Sequence, residues 1–203
     1  MSAITASADG AYLFLALEDG DGLPIILRAA RSDLATWSVV YPPGPGAGSA
    51  VNVASVPSDP DRVLFYGNFG TDAVVIRHAI AAETNTDLSP ASLGSAIVNT
   101  LAVDPSDANR IVITVNTARD LKYTEDGGVT WINWDDALGL DATALALLWS
   151  GEYGLHRLFV CGQVTGAAVI YYSPNQAAAY GDFSGDLVAT DIAALAVTEE
   201  ATP

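Results

Sequence analysis

Three landmarks recur along the chain at a spacing of 47 or 48 residues, and a repeat of this kind constrains the architecture before any single residue does. The first is an apolar start followed by a Pro-Ser-Asp turn. Ala54-Ser-Val-Pro-Ser-Asp59 matches Val103-Asp-Pro-Ser-Asp107, with Pro57 and Pro105 48 residues apart. The second is the short apolar strand that follows: Leu13 to Leu17, Val63 to Tyr66, Ile111 to Val115 and Leu158 to Cys161. These runs lack polar alternation, which predicts sheets covered on both faces. The third is a turn that ends in an aromatic residue, at Thr36-Trp37, Thr130-Trp131 and Ala179-Tyr180, where Trp37 and Trp131 lie 94 residues, or two repeats, apart.

Written in these units the chain divides at 3–48, 49–94, 95–139 and 140–187, each unit holding about four short strands between turn residues. Pro42-Pro-Gly-Pro-Gly46 punctuates the first boundary and Gly139 the third. Leu195-Ala196-Val197 stands 94 residues beyond Leu101-Ala102-Val103, so residues 188–203 read as the first strand of a further unit. The Ala-rich stretch 189–197 has helical propensity, but the repeat register assigns it to a strand. The expected fold is all-β: a β-propeller-type repeat of about four four-stranded antiparallel blades plus the first strand of another, in one domain spanning 1–203.

Thr124-Glu-Asp126-Gly-Gly128-Val-Thr130-Trp131 matches the pattern Ser/Thr-x-Asp-x-Gly-x-Thr-Trp at every specified position. It resembles the Asp-box, the bacterial neuraminidase-type repeat found in sialidases, sortilin-like receptors, xyloglucanases and photosynthetic assembly factors. Ser173-Pro-Asn175-Gln-Ala-Ala-Ala179-Tyr180 and Ser32-Asp33-Leu-Ala-Thr36-Trp37 are eroded copies, and the second unit has none around Arg77 to Thr84. The resemblance implies a turn between the third and fourth strands of a blade, away from any catalytic centre. Residue by residue, Asp126 can accept hydrogen bonds from the N–H groups of its own turn, Gly128 supplies a positive φ, and Trp131 fills the gap between sheets. Thr124, Asp126, Gly128, Thr130 and Trp131 are therefore expected to be structural.

Composition narrows the function. Eight Lys and Arg against 24 Asp and Glu give a net charge of -16, which repels nucleic-acid backbones and anionic membrane surfaces. The apolar run Ala142 to Trp149 is too short to span a bilayer. Residues 1 to 20 lack the basic and apolar regions of a signal peptide, so the expected location is cytoplasmic, or virion or extracellular by a route without a classical signal. The one cysteine, Cys161, reads as a core thiol.

No catalytic set emerges. The arginines Arg62, Arg110 and Arg157 recur at the start of the second strand, which argues for a structural role rather than the arginine triad of a sialidase. Asp59, Asp104 and Asp107 are the nearest carboxylates for glycoside hydrolysis, but they sit in the recurring turns. Asp182, Ser184 and Asp186 begin like a calcium loop and then depart from it, lacking the Gly at position 6. Asp19 and Asp21 offer hard oxygens in what also reads as a hairpin turn. No cofactor is expected, with calcium as the candidate ion at these two places. His78 and His156 have no metal-spaced partner and read as ordinary strand or turn residues. Tyr171, Tyr172, Tyr180, Trp134 and Trp149 suit packing better than a glycan platform.

The expected function is a non-catalytic scaffold or binding protein that recognises protein or glycan, for instance within a virion or surface layer. The alternatives are a glycoside hydrolase or a fragment of one, and an assembly factor for a membrane complex. Self-association or a larger assembly is expected, either through exchange of the strand Ile192 to Val197 or through a partner that covers an open edge.

Overall fold

The computed structural model describes residues 3–19, 21–41, 51–69, 72–90, 93, 97–115, 120–134, 141–150, 155–164, 167–173 and 181–182. The strand Ile192 to Val197 lies outside them. Among the described residues there are strands and turns and no helix, so none crosses a membrane as a helix.

The described residues form sixteen strands in four sheets, each a meander of four consecutive antiparallel strands. The first sheet holds β1 (Ala3–Ala6), β2 (Tyr12–Glu18), β3 (Pro24–Ala30) and β4 (Asp33–Tyr41). In the second are β5 (Asn52–Ser55), β6 (Arg62–Phe69), β7 (Asp72–Ala79) and β8 (Thr84–Asp87). The third comprises β9 (Val98–Asp104), β10 (Asp107–Val115), β11 (Asp120–Thr124) and β12 (Ile132–Trp134). The fourth comprises β13 (Asp141–Ser150), β14 (Leu155–Val164), β15 (Ala167–Ser173) and β16 (Gly181–Asp182). The apolar runs singled out by the repeat fall within the second strand of each sheet.

Short aspartate turns join the first two strands. Asp9 Oδ1 accepts from Ser7 Oγ at 2.6 Å and from the Ala11 amide at 2.9 Å, while Asp59 Oδ1 accepts from the Asp61 amide at 3.0 Å and Asp104 Oδ1 from the Ser106 amide at 2.7 Å. An aspartate that bonds the backbone two residues on folds its own turn, which explains why Asp recurs here.

Sheets stack face against face in chain order. Phe14, Ala16 and Ile26 of the first pack with Val53, Val63, Phe65 and Ile76 of the second. Leu64, Val75 and Leu88 on the opposite side of the second sheet pack with Leu101, Val103, Ile111 and Ile113 of the third. Strand β13 of the fourth sheet lies against β9. Consecutive residues of β6 and β10, such as Val63, Leu64 and Phe65, are therefore all buried, one side by each neighbour.

The first sheet departs from expectation. Two-sided cover was predicted for Leu13 to Leu17, yet Phe14 and Ala16 are fully buried while Leu13, Leu15 and Leu17 are only half-buried. The run is as apolar as its counterparts, but nothing among the described residues lies against its outward face.

At the joint of the first two sheets His78 is 1% exposed. Its ring stacks on Phe65 with centroids 5.6 Å apart and meets Phe14 edge-on at 6.0 Å. Asn85 donates through Nδ2 to the Val40 carbonyl at 3.0 Å, so its Oδ1 faces His78 Nδ1 at 2.9 Å as an acceptor, and the ring carries its proton on Nδ1. Burial holds the His78 pKa below its ordinary 6.5, against the opposing pull of the Asn85 bond. The unfolded chain takes up this proton more readily than the folded one, so stability is full above the ordinary value and declines as the pH falls through it. Melting temperatures measured between about pH 7.5 and 5.5 should therefore fall with acidification, and His78→Phe should flatten that fall; equal slopes for the two proteins would contradict it.

Candidate functional site

The turn Thr124 to Trp131, between β11 and β12, brings all five predicted residues together. Thr124 Oγ1 donates to Asp126 Oδ1 at 2.8 Å and accepts from the Gly128 amide at 2.9 Å. Asp126 accepts from the Thr130 amide at 2.9 and 3.1 Å through its two oxygens and from Thr130 Oγ1 at 2.6 Å. The hydrogen bonds from Thr130 to the charged carboxylate, more than that from Thr124, hold the Asp126 pKa down to about 2. Both carboxylate oxygens are thus committed to the turn.

That turn faces the preceding sheet. Gly127 and Gly128 have φ of 71° and 93°, values that favour glycine. A Cβ on Gly128 would lie 2.7 Å from Leu88 Cβ, so the backbone itself is seated on the second sheet. Trp131 Nε1 donates to the Leu88 carbonyl at 2.8 Å, and its ring packs on the core between the second and third sheets.

The catalytic candidates are dispersed and engaged. Asp59 forms an ion pair with Arg62 at 2.7 Å in the second sheet. Asp104, fully buried, faces Arg110 at 3.6 Å, and Asp107 faces the same guanidinium at 3.4 Å in the third. Of the calcium candidates, Asp19 Oδ1 accepts from the amides of Asp21 and Leu23 at 2.9 and 2.8 Å, closing the β2–β3 hairpin. Asp182 sits in β16, exposed, and Ser184 and Asp186 lie outside the described residues. No cluster of three His, Cys, Asp or Glu side chains suited to a metal occurs among the described residues. His156 and Arg157 belong to β14 and Trp134, Trp149 and Tyr172 to β12, β13 and β15, but their side chains are not among those described, and Tyr180 lies outside the described residues; Tyr171 is half-buried in β15.

One polar cluster was not foreseen. Arg28 on β3 reaches across to the second sheet, where Nη2 bonds Glu83 Oε1 at 2.6 Å and Nη1 bonds the Ile80 carbonyl at 3.4 Å. Its guanidinium lies 5.1 Å from the centre of the Tyr12 ring. Two shallow hollows meet at this arginine: one of about 210 Å³ bounded by Tyr12, Asp33, Thr36 and Ser38, and one of about 170 Å³ bounded by Ser38, Val40, His78 and Glu83. Arg28 pulls the Glu83 pKa down, chiefly through their hydrogen bond. A charge embedded in the apolar strand Ile25 to Ala30 was the available signal, but Glu83 stands 55 residues away and only folding pairs them. Glu83 matches the charge of Arg28, Ser38 Oγ donates to the Arg28 carbonyl at 3.4 Å and His78 is held by Asn85, so the cluster joins two sheets and offers a small polar hollow.

No family model and no curated protein matches the chain. Solved structures do match. TolB from Acinetobacter baumannii superposes with a TM-score of 0.60 at 10% identity over 89% of this chain and 42% of its own. A structural genomics protein of unknown function from Bacteroides thetaiotaomicron gives 0.58 at 15% identity, over 89% and 42%. The GH74 xyloglucanase from Xanthomonas campestris gives 0.57 at 16%, over 85% and 28%. The fold is of the β-propeller type. At these identities the likeness extends to architecture alone, and the chain spans less than half the length of each of these neighbours.

Because the Gly128 backbone rests on Leu88, Gly128→Ala should cost more than about 1 kcal/mol through its positive φ, with the steric clash in addition. Trp131→Ala should cost about 3 kcal/mol. Urea unfolding of both variants checks this; wild-type midpoints would show that the turn does not hold the joint.

Proposed function

We propose that the chain is a non-catalytic propeller-type scaffold or binding module that engages protein or glycan within a larger assembly, and that Thr124 to Trp131 is an Asp-box serving its fold. One observation carries the reading. The nearest carboxylates for a hydrolase, Asp59, Asp104 and Asp107, each face an arginine at the base of their own turn, while Asp126 accepts hydrogen bonds from two threonines. Carboxylates committed to ion pairs and hydrogen bonds within their own turns serve the fold of those turns. A propeller fold is compatible with this, since the same architecture carries unrelated functions.

The protein should leave a panel of β-linked glycans, xyloglucan included, uncleaved. Hydrolysis that disappears on Asp59→Asn or Asp104→Asn would instead establish the glycoside hydrolase. The same reading assigns no metal: Asp19 closes a hairpin with its own backbone. Calcium at about 1 mM should leave the melting temperature unchanged, and a rise abolished by Asp19→Asn would place an ion there.

A further inference from the structure

The buried imidazole of His78 is only half satisfied. Its proton sits on Nδ1, toward Asn85, so Nε2 presents a lone pair, and that atom has no hydrogen-bond partner among the described residues although the side chain is 1% exposed. A buried acceptor left unpaired costs free energy. Phe65 stacks on the ring and Phe14 meets it edge-on, and neither supplies a donor. His78 also forms part of the wall of the inner hollow at the joint of the first two sheets, together with Arg28, Ser38, Val40 and Glu83. What the imidazole lacks is a donor, and the hollow is the space beside it.

The rest of that wall carries further polar groups with capacity to spare. Glu83 Oε1 is taken by Arg28 at 2.6 Å, which leaves Oε2 as a charged acceptor. The Arg28 guanidinium keeps N–H donors beyond the two that bond Glu83 and Ile80. Ser38 and Arg28 border both hollows, so the inner one leads to the outer one, where Tyr12, Asp33 and Thr36 stand. Glu83 is also the one non-glycine residue with a positive φ, 53°, among the described residues, a conformation that costs a residue with a side chain energy. Its strained turn sets the carboxylate against Arg28.

Charge and size then select the occupant. An anion would meet Glu83, Asp33 and a chain of net charge -16, and a cation would meet Arg28. A neutral molecule bearing several hydroxyls meets neither obstacle, because each hydroxyl can donate to Nε2 or Oε2 and accept from the guanidinium. At about 170 and 210 Å³ the hollows fall below the roughly 300 Å³ at which drug-sized pockets begin, a scale that suits one sugar unit in each. We propose that these paired hollows bind a neutral glycan, one unit held through its hydroxyls by His78 Nε2, Glu83 Oε2 and Arg28, and the next passing Ser38 toward Tyr12 and Thr36. The site rests on the glycan reading of the scaffold given above.

NMR titration with the methyl glycosides of glucose, galactose, mannose and xylose tests this. At least one should bind with a dissociation constant of about 1 mM and move the His78 Nε2 resonance upfield, as an acceptor does when it gains a hydrogen bond. Glu83→Gln should weaken that binding by about 10-fold or more, through loss of a charged acceptor. Because this substitution also removes the ion pair with Arg28, Ser38→Leu, at an exposed position on β4 that borders both hollows, supplies an independent variant with the same expected loss. Val129→Ser, at an 82% exposed site of the third sheet, should bind as the wild type does, and unchanged melting temperatures certify the folding of all three. Absence of binding by every glycoside at about 10 mM overturns the proposal. So does binding that leaves the His78 resonance unmoved, a Ser38→Leu protein that binds as tightly as the wild type, or acetate or methylammonium binding as well as the glycoside. Hydrolysis reads the scaffold separately: no binding and no cleavage removes this site alone, whereas cleavage of a glycan removes the scaffold.

Discussion

A sheet whose strands are apolar at consecutive positions has no side to turn toward water, and this is the condition on which the rest of the molecule depends. Val63, Leu64 and Phe65 point alternately to opposite faces and all are buried, as are Ile111, Val112 and Ile113. Each sheet must therefore be sandwiched, and stacking successive sheets in chain order is the arrangement that short connections permit. The aspartate turns, the inter-sheet hydrogen bonds and the aromatic contacts around Phe65 serve that stacking.

The turn from Thr124 to Trp131 illustrates how a local device becomes a tertiary one. Its internal hydrogen bonds fix a shape in which Asp126 is the acceptor at the centre, and the charge on that carboxylate strengthens every bond it accepts. A rigid turn can then present Gly128 and an indole to Leu88 at van der Waals and hydrogen-bond distance. The first joint reaches the same end differently, through Arg28 to Glu83 and Asn85 to Val40, so the two joints share a geometry and not a sequence.

Propeller-type sheets leave their strand ends and loops for recognition and their faces for one another. In this chain the acidic turn residues and Arg28 are committed to the frame, which moves attention from chemistry to surface. Among the described residues, the outward face of the first sheet is less covered than its counterparts in the second and third, with Leu13, Leu15 and Leu17 only half-buried.

The strands were legible because period-47 and period-48 landmarks, continuous apolar runs and turn residues all encode local geometry that neighbouring residues suffice to specify. The same holds for the hydrogen bonds inside Thr124 to Thr130, whose partners lie within four residues. Not legible were the contacts between units: Leu88 as the seat of Trp131 and Gly128, Glu83 as the partner of Arg28, and His78, which reads as an ordinary strand residue yet is enclosed by Phe14 and Phe65. These partners stand tens of residues apart, and which of them meet depends on how the sheets stack. By itself the sequence determined that every sheet was written for cover on both faces; only the tertiary structure decided which residues supply that cover at each joint, because burial belongs to whatever lies opposite a residue and not to the residue alone.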